Sequence, residues 1–141
     1  MFACFAFVFA AVTAAVSGSM LVSRADCARD YTVIPGDVCD GISAKTGTST
    51  FQLRFVNQVI NETCTNLSAG QVLCLGIVGQ DCTDVHVVQS GEDCVDIAKA
   101  AGTSLDTLLA NNPNVNSDCT NIYVGEVLCT ADSVIDYTDH A

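Results

Sequence analysis

Apolar and polar residues alternate through the first half of the chain in an order that predicts a strand, two helices and a second strand. Turn residues at 35–37 end the first strand, and Asp37 is placed as the N-cap of the first helix. Gly47 is placed to end that helix in a left-handed conformation. Ser49 and Gln52 have the spacing of a capping box, which opens the second helix. The predicted elements are a strand at residues 31–34, a helix at 38–45, a helix beginning at Ser49 and a strand at 70–75.

The second half of the chain repeats this order. Two strands that flank a pair of helices can pair antiparallel and bury one face beneath the helices. The predicted fold class is therefore α+β, with two tandem small βααβ domains. The elements of the second domain are predicted at residues 85–88, 93–101, 104–110 and 126–129.

The cysteines show that the two halves are copies of each other. Both read C-x11-C-x24-C-x9-C, and they align without a gap. Such small units need staples, and four cysteines supply two disulfides per copy. Four cysteines allow three pairings, and the sequence does not choose among them. No C-x-x-C pair and no histidine pair at ligand spacing occurs, so no metal site or other cofactor is expected. The disulfide cysteines are Cys27, Cys39, Cys64, Cys74, Cys82, Cys94, Cys119 and Cys129.

The first 25 residues are predicted to be a secretory signal peptide. Residues 2–16 are apolar apart from Thr13, and small residues follow; cleavage after Ser19 is an alternative. The usual basic residue near the start is missing, and a retained membrane anchor is the competing interpretation. Removal of the leader takes away the ninth cysteine, Cys4, and leaves an even number, which indicates an oxidising, extracellular destination.

The duplication sets the predicted boundaries, and the charge limits the class of partner. Sixteen acidic and five basic residues give a net charge of −11, which opposes binding to nucleic acid or to an anionic membrane but not to a neutral polysaccharide. The acidic C-terminal tail is expected to be frayed. The predicted boundaries are a signal peptide at 1–25, domains at 27–75 and 82–130, a linker at 76–81 and a tail at 131–141.

The order of motifs resembles the LysM domain. Its opening is similar to Tyr31-Thr32-Val33-x-x-Gly36-Asp37-x-Cys39-x-x-Ile42, and its end to Asn112-Pro113 and to Asn66-Leu67-x-x-Gly70-x-x-Leu73-Cys74. The four-cysteine form is similar to secreted fungal LysM effectors. The resemblance implies a shallow groove for chitin oligomers, between the loop after the first strand and the loop before the last strand. The residues that it places there are Gly36, Asp37, Val38, Val59, Ile60, Asn61, Gly91, Glu92, Asp93, Asn112, Pro113, Asn114, Val115 and Asn116.

An N-acetyl sugar suits such loops chemically. Backbone N–H and C=O groups can satisfy its amide, and an aliphatic side chain such as Ile60 or Val115 can take its methyl group. The chain has no tryptophan, and the Phe51/Phe55 pair is predicted to be core, so a loop-backbone groove is favoured over an aromatic platform. Asn61 and Asn66 begin N-glycosylation sequons. Because Pro113 makes its loop more rigid, repeat two is predicted to carry the better-preserved site.

The carboxylates invite a glycosidase hypothesis, but they lie at predicted helix starts, where carboxylates stabilise free N–H groups. They are Asp37, Asp40, Glu92, Asp93 and Asp96. The sequence thus predicts a secreted, extracellular or wall-associated protein, not an enzyme, that sequesters chitin fragments or shields fungal chitin. A long oligomer could also join chains into a ligand-induced oligomer. Peptidoglycan-type binding and a protein-interaction effector that binds no sugar stay as alternatives.

Overall fold

In the computed structural model, the described residues are 26–137. The predicted signal peptide, both of its cleavage positions and Cys4 lie outside the described residues, as do residues 138–141 at the end of the predicted tail. None of the helices formed within residues 26–137 combines the length and apolar character needed to cross a bilayer.

Residues 27–77 form repeat one, so its last strand extends into the predicted linker. It consists of β1 (Cys27–Thr32), α1 (Cys39–Thr46), α2 (Thr50–Val56) and β2 (Val72–Ile77). β1 and β2 pair antiparallel, with Tyr31 opposite Leu73. β1 begins before the predicted strand, because its polar first residues pair through their backbone with the end of β2.

Residues 82–129 form repeat two, which has the same architecture. It consists of β3 (Val85–Val87), α3 (Cys94–Ala101), α4 (Leu105–Asn111) and β4 (Val127–Cys129). β3 and β4 pair antiparallel in the same register, with His86 opposite Leu128. The two βααβ units confirm the predicted α+β fold.

The disulfides resolve the pairing that the sequence left open. In each repeat an outer bridge joins the first cysteine to the last and closes the two strands, and an inner bridge joins the start of the first helix to the loop before the last strand. The outer bridges are Cys27–Cys74 and Cys82–Cys129, and the inner bridges are Cys39–Cys64 and Cys94–Cys119.

Each repeat buries its own small core at equivalent positions. The inner-bridge cysteine of the first helix lies in this core, so the bridge also fills space between the helices and the sheet. The core of repeat one contains Val33, Cys39, Ile42, Leu53, Ile60, Leu73 and Leu75; that of repeat two contains Val88, Cys94, Ile97, Ala98, Leu108, Val115 and Leu128.

The helices end and begin largely as predicted. Gly47 ends α1 in the left-handed conformation, as does its counterpart in α3. Ser49 caps α2 by accepting a hydrogen bond from the backbone N–H of Gln52 (3.1 Å), and Asp93 caps α3 in the same manner. The capping box is only half formed, because the side chain of Gln52 turns away from Ser49 toward the end of β2.

The side chain of Gln52 joins repeat one to the linker and to repeat two. Its Nε2 donates to the carbonyl of Leu75 (2.7 Å) and to Oδ1 of Asp81 (2.8 Å). Its Oε1 accepts from the backbone N–H of Cys82 (2.9 Å) and from the hydroxyl of Tyr137 (3.2 Å). Gln52 is fully buried. The linker is therefore fixed to α2 and does not act as a loose tether.

The position of the tail differs from two expectations, that the tail is frayed and that Phe51 and Phe55 belong to the core. Tyr137 is buried and packs edge-on against Phe51 and Phe55, with ring centroids 5.1 and 5.3 Å apart. Asn111 at the end of α4 holds the preceding tail residues through three backbone groups, the carbonyls of Ala131 and Ser133 and the N–H of Ile135. Residues 131–137 are thus ordered against the protein, and the expectation of a frayed tail is wrong for them. Phe51 and Phe55 lie outside the core cluster of repeat one and receive this tail instead.

A second contact between the repeats involves polar side chains. The hydroxyl of Thr50 donates to Oδ1 of Asp40 (2.9 Å) and accepts from the backbone N–H of Val127 in β4 (3.0 Å). Oδ2 of Asp40 accepts from the hydroxyl of Tyr123 (3.0 Å). The first turn of α2 therefore hydrogen-bonds directly to the last strand of the other repeat.

We expect Gln52→Ala to lower the free energy of unfolding by roughly 2–4 kcal/mol, because it removes the hydrogen bonds that this side chain makes to the buried Leu75 carbonyl and Cys82 N–H. Thr107→Ala, at the equivalent position of α4, is the matched control; Thr107 is half-buried and its hydroxyl contacts only Ser104. Denaturant unfolding of the disulfide-intact chain measures both. Equal losses in the two variants would contradict the role of Gln52.

Candidate functional site

Two loops of each repeat form the candidate site. The first loop (residues 33–38 and 88–93) follows the first strand, and the second loop (residues 57–71 and 112–126) precedes the last strand. In repeat one, Oδ2 of Asp37 accepts hydrogen bonds from the Tyr31 hydroxyl (2.8 Å) and from the backbone N–H of Ile34 (2.9 Å). The hydrogen bond from the backbone N–H of Ile34 lowers the pKa of Asp37 most, and the bond from the Tyr31 hydroxyl lowers it further. Asp37 therefore fixes the first loop. The prediction that Asp37 is the N-cap of α1 is wrong, because the N-cap position is Val38 and no side chain caps the helix.

In repeat two a histidine–glutamate pair performs the same task. Oε2 of Glu92 lies 2.7 Å from Nε2 of His86 and accepts from the backbone N–H of Gln89 (2.7 Å). The hydrogen bond with His86 lowers the pKa of Glu92 most, and the bond from the backbone N–H of Gln89 lowers it further. Gly91 takes a φ of 83°, which glycine adopts without steric penalty, and Gly36 does the same in repeat one. The two first loops thus share a backbone that is held by different side chains.

A pair of asparagines fixes the second loop of repeat one. The backbone N–H of Asn61 donates to Oδ1 of Asn66 (2.9 Å), and Oδ1 of Asn61 accepts from the backbone N–H of Thr65 (2.9 Å). Nδ2 of Asn66 donates to the carbonyl of Val59 (2.7 Å). The amide of Asn61 is therefore engaged inside the loop.

The second loop of repeat two is built in the same way. Asn121 accepts from the backbone N–H of Asn116 (2.9 Å) and donates to the carbonyl of Asn114 (2.8 Å), and Asn116 accepts from Thr120 (2.8 Å). Sequence reasoning assigned Asn66 to the LysM-like motif and to a sequon, but not to the loop that it fixes, and it overlooked Asn121. The signal was available, because both repeats have asparagine at this position.

The inner disulfides hold the two loops of each repeat together. In repeat one, Cys39 directly follows the first loop and forms a disulfide with Cys64 of the second loop. The Cα atoms of the two cysteines are 5.9 Å apart. Cys64 and its counterpart Cys119 both have a φ of 58°, in the left-handed region. In repeat one the loops border a cavity of about 200 Å³, with Val38 on one side and residues 62–64 on the other. Of the predicted groove residues of repeat one, Val38 borders this cavity, whereas Gly36, Asp37, Val59, Ile60 and Asn61 do not line it.

Two predicted aliphatic contacts are placed differently from the expectation. The side chains of Ile60 and Val115 belong to the cores and are 7% and 8% exposed, so both are mostly buried and offer little surface to the methyl group of a sugar. Val38 and Val59 of repeat one are exposed instead, at 60% and 57%. Asp93 and Asn114 hold the equivalent positions in repeat two, so the rim of its groove is more polar.

Asn112 has a structural position and does not line the groove with its side chain. It is 1% exposed. Its Nδ2 donates to the carbonyls of Leu108 and Cys129, and its Oδ1 accepts from the backbone N–H of Cys129. Asn57 makes the equivalent bonds in repeat one. These asparagines tie the second helix to the last strand, which corrects the expectation of a sugar contact from Asn112.

The neighbouring residues Pro113 and Asn114 are more accessible. Pro113 is exposed, and Nδ2 of Asn114 donates to Oε1 of Glu126 (2.6 Å). Glu126 is buried, and this burial raises its pKa. Asn114 and Ile60 line a second cavity of about 360 Å³ between the repeats. The loop of repeat two therefore reaches toward repeat one at this point.

The LysM domain family matches this chain twice, over residues 31–76 and 86–130. The chain belongs to the LysM domain family. Each matched segment contains both loops of one repeat, so the candidate site lies in the LysM domains themselves.

Similar proteins include a LysM effector, an enzyme and a single LysM domain. The secreted LysM effector LysM1 of Trichophyton rubrum is 32% identical over 74% of this chain and 50% of its own length. A probable peptidoglycan-N-acetylglucosamine deacetylase of Arthroderma benhamiae is 42% identical over 37% of this chain and 12% of its own length. The LysM domain of Equisetum arvense chitinase A is 39% identical, covers 36% of this chain and 100% of that domain, and has a TM-score of 0.33. The chain thus spans half or less of the two curated relatives.

The lowered pKa values predict how the first loops respond to acid. Each carboxylate stabilises its loop above the ordinary carboxyl range, and this stabilisation is lost as the pH falls through the lower, folded-state pKa. We expect the amide proton shifts of Ile34 and Gln89 to titrate with midpoints below 3.8 and 4.5, the ordinary values for Asp37 and Glu92. NMR titration measures both.

His86→Phe is the matched variant for this titration. It should raise the midpoint reported by Gln89 and leave that of Ile34 unchanged, because the Tyr31–Asp37 pair is untouched. Midpoints at or above the ordinary values in the wild-type chain would show that these carboxylates do not hold the loops.

Proposed function

We propose that the chain is a secreted, non-catalytic protein that binds oligomers of N-acetylglucosamine, as in chitin, through its LysM domains. The observation that carries the proposal is the pair of loops that each repeat holds in place with a disulfide and asparagine side chains. Such loops offer fixed N–H and C=O groups to the amide of the sugar, and the exposed Val38 and Val59 can take its methyl group. Bound chitin fragments would be sequestered, or fungal wall chitin shielded.

The roles of the carboxylates support a non-catalytic protein. Glycosidases need two carboxyl groups that flank the bond to be cleaved. Asp37 and Glu92 hold their own loops in separate repeats, Asp93 caps α3, and Asp40 joins the repeats through Thr50 and Tyr123. Each of these carboxylates thus has a structural task.

The disulfides support secretion. Four bridges in a chain of this size are typical of oxidising, extracellular environments. The apolar N-terminal stretch in the sequence and the secreted relative point to the same destination. Attachment to the cell wall would follow from binding to its chitin.

We expect the secreted chain to be retained on insoluble chitin and not on cellulose, which lacks the acetamido group. In calorimetric titration with chitohexaose, Val59→Asp should raise Kd about tenfold at repeat one, because a charge replaces an apolar contact at the rim. Val78→Asp, at an equally exposed linker valine, should leave Kd unchanged.

Equal retention on chitin and cellulose, or on neither, would refute the proposal. Competition with muropeptides distinguishes peptidoglycan, which shares the N-acetylglucosamine unit. Displacement of chitohexaose by muropeptides at lower concentrations than by chitin oligomers would favour that alternative. A binder with no glycan ligand but a protein partner would fit the interaction effector.

We also propose that Asn61 and Asn66 carry N-glycans, because both begin sequons and are exposed, and each Nδ2 keeps one hydrogen for its loop hydrogen bond after a glycan is attached. A glycan on Asn61 would stand at the edge of the groove of repeat one. Peptide mapping of the secreted chain, with and without enzymatic deglycosylation, should show a mass shift at these residues. Unmodified peptides at both positions in a eukaryotic secretion host would contradict this expectation.

A further inference from the structure

We infer that the groove of repeat one is a composite site, in which the ring of Tyr123 from repeat two forms one wall and contacts the bound sugar. The inference rests on the proposed function. Tyr123 lines the same cavity of about 200 Å³ that Val38 of the first loop and Glu62 and Thr63 of the second loop border. Tyr123 of repeat two therefore borders this cavity together with residues from both loops of repeat one and from the starts of α1 and α2.

Two hydrogen bonds and a buried neighbour fix Tyr123 in this position. Its hydroxyl donates to Oδ2 of Asp40 in α1 (3.0 Å), and its backbone N–H donates to Oε2 of Glu126 (3.4 Å). Burial, followed by the charge of Asp40, raises the pKa of Tyr123 to about 12, so the phenol stays a neutral donor at physiological pH. The side chain is nevertheless 45% exposed. The ring is thus anchored at its hydroxyl and still accessible.

The contact is specific to the groove of repeat one. The residue equivalent to Tyr123 in repeat one is Ser68, and the residue equivalent to Asp40 in repeat two is Val95. Neither member of the Tyr123–Asp40 pair is therefore required by the shared βααβ scaffold. The groove of repeat two receives no such ring from its own counterpart position.

The chemistry of the cavity suits one unit of a β-linked N-acetylhexosamine oligomer. The C–H face of a pyranose ring can lie against the ring of Tyr123, whose aromatic face favours such apolar contact. Val38 can meet the acetamido methyl group, and Glu62 and Thr63 offer polar partners for hydroxyl groups. The volume equals that of about six water molecules, which suffices for an acetamido group and part of its ring.

Calorimetric titration with chitohexaose tests the inference on the full chain. Tyr123→Ser, which introduces the residue found at the equivalent position of repeat one, should raise Kd about five- to tenfold; Tyr123→Phe, which keeps the ring, should change it by less than about twofold. Val124→Ser is the matched control, because Val124 is exposed beside Tyr123 and does not line the cavity; its Kd should equal that of the wild type.

NMR of the wild-type chain gives a readout that does not depend on the folding of a variant. Addition of chitohexaose should shift the ring protons of Tyr123 more than those of Tyr137, which is buried against Phe51. Unshifted Tyr123 protons in a chain that binds the oligomer would refute the composite site.

The variants can also overturn the inference. Binding by Tyr123→Ser that equals or exceeds that of the wild type would do so, and so would a Tyr123→Phe variant as weak as Tyr123→Ser. A wild-type chain that binds no chitin oligomer would instead refute the proposed function, before any variant is compared.

Discussion

The inner disulfide of each repeat is the constraint on which the candidate site depends. It joins the start of the first helix to the second loop, and thereby sets the distance between the two loops of a groove. In the chain-entropy treatment, closing 25 residues stabilises the fold by about 3.5 kcal/mol, and the outer bridge over 47 residues by about 4 kcal/mol. Each repeat buries only a handful of core residues, so bridges of this size are a large part of its stability. The hydrogen bonds within the loops refine a geometry that the sulfur atoms impose.

The two repeats show which features of the loops are essential. In repeat one a tyrosine and an aspartate hold the first loop, whereas a histidine and a glutamate do so in repeat two. The shared requirement is a carboxylate oxygen that accepts the backbone N–H of the turn. The asparagine pairs of the second loops are instead identical in both copies. Loops that are ordered before a ligand arrives lose less conformational entropy on binding, so the ordering favours affinity without any added contact.

Much of this fold could be predicted from the sequence, because the duplication shows the sequence pattern of each strand and helix twice. The order of strands and helices, the glycine that ends α1 and the serine cap of α2 were all visible in local patterns. The disulfide pairing was not, since spacing alone permits three choices. Asn112 was misassigned because an asparagine in a loop has the same pattern whether its amide faces a ligand or, as here, the buried end of a strand. Contacts between the repeats could not be predicted either, because the residues that make them are replaced by different residues at the equivalent positions of the other copy.

The difference between the two copies at these positions has a physical origin. When two copies of a unit pack head to tail, each contributes a different face, and identical copies could continue to add. Repeat one presents Thr50, Gln52, Phe51 and Phe55 on α2, and these contact β4, the linker and the tail. The equivalent positions of α4 are Leu105, Thr107, Asp106 and Ala110, so the buried glutamine and both aromatic rings are absent there. The contact surface that α2 offers to repeat two is therefore not reproduced on α4. The differences between the copies at Asp40 and Tyr123 belong to the same interface, because the hydroxyl of Tyr123 donates to Asp40 across it.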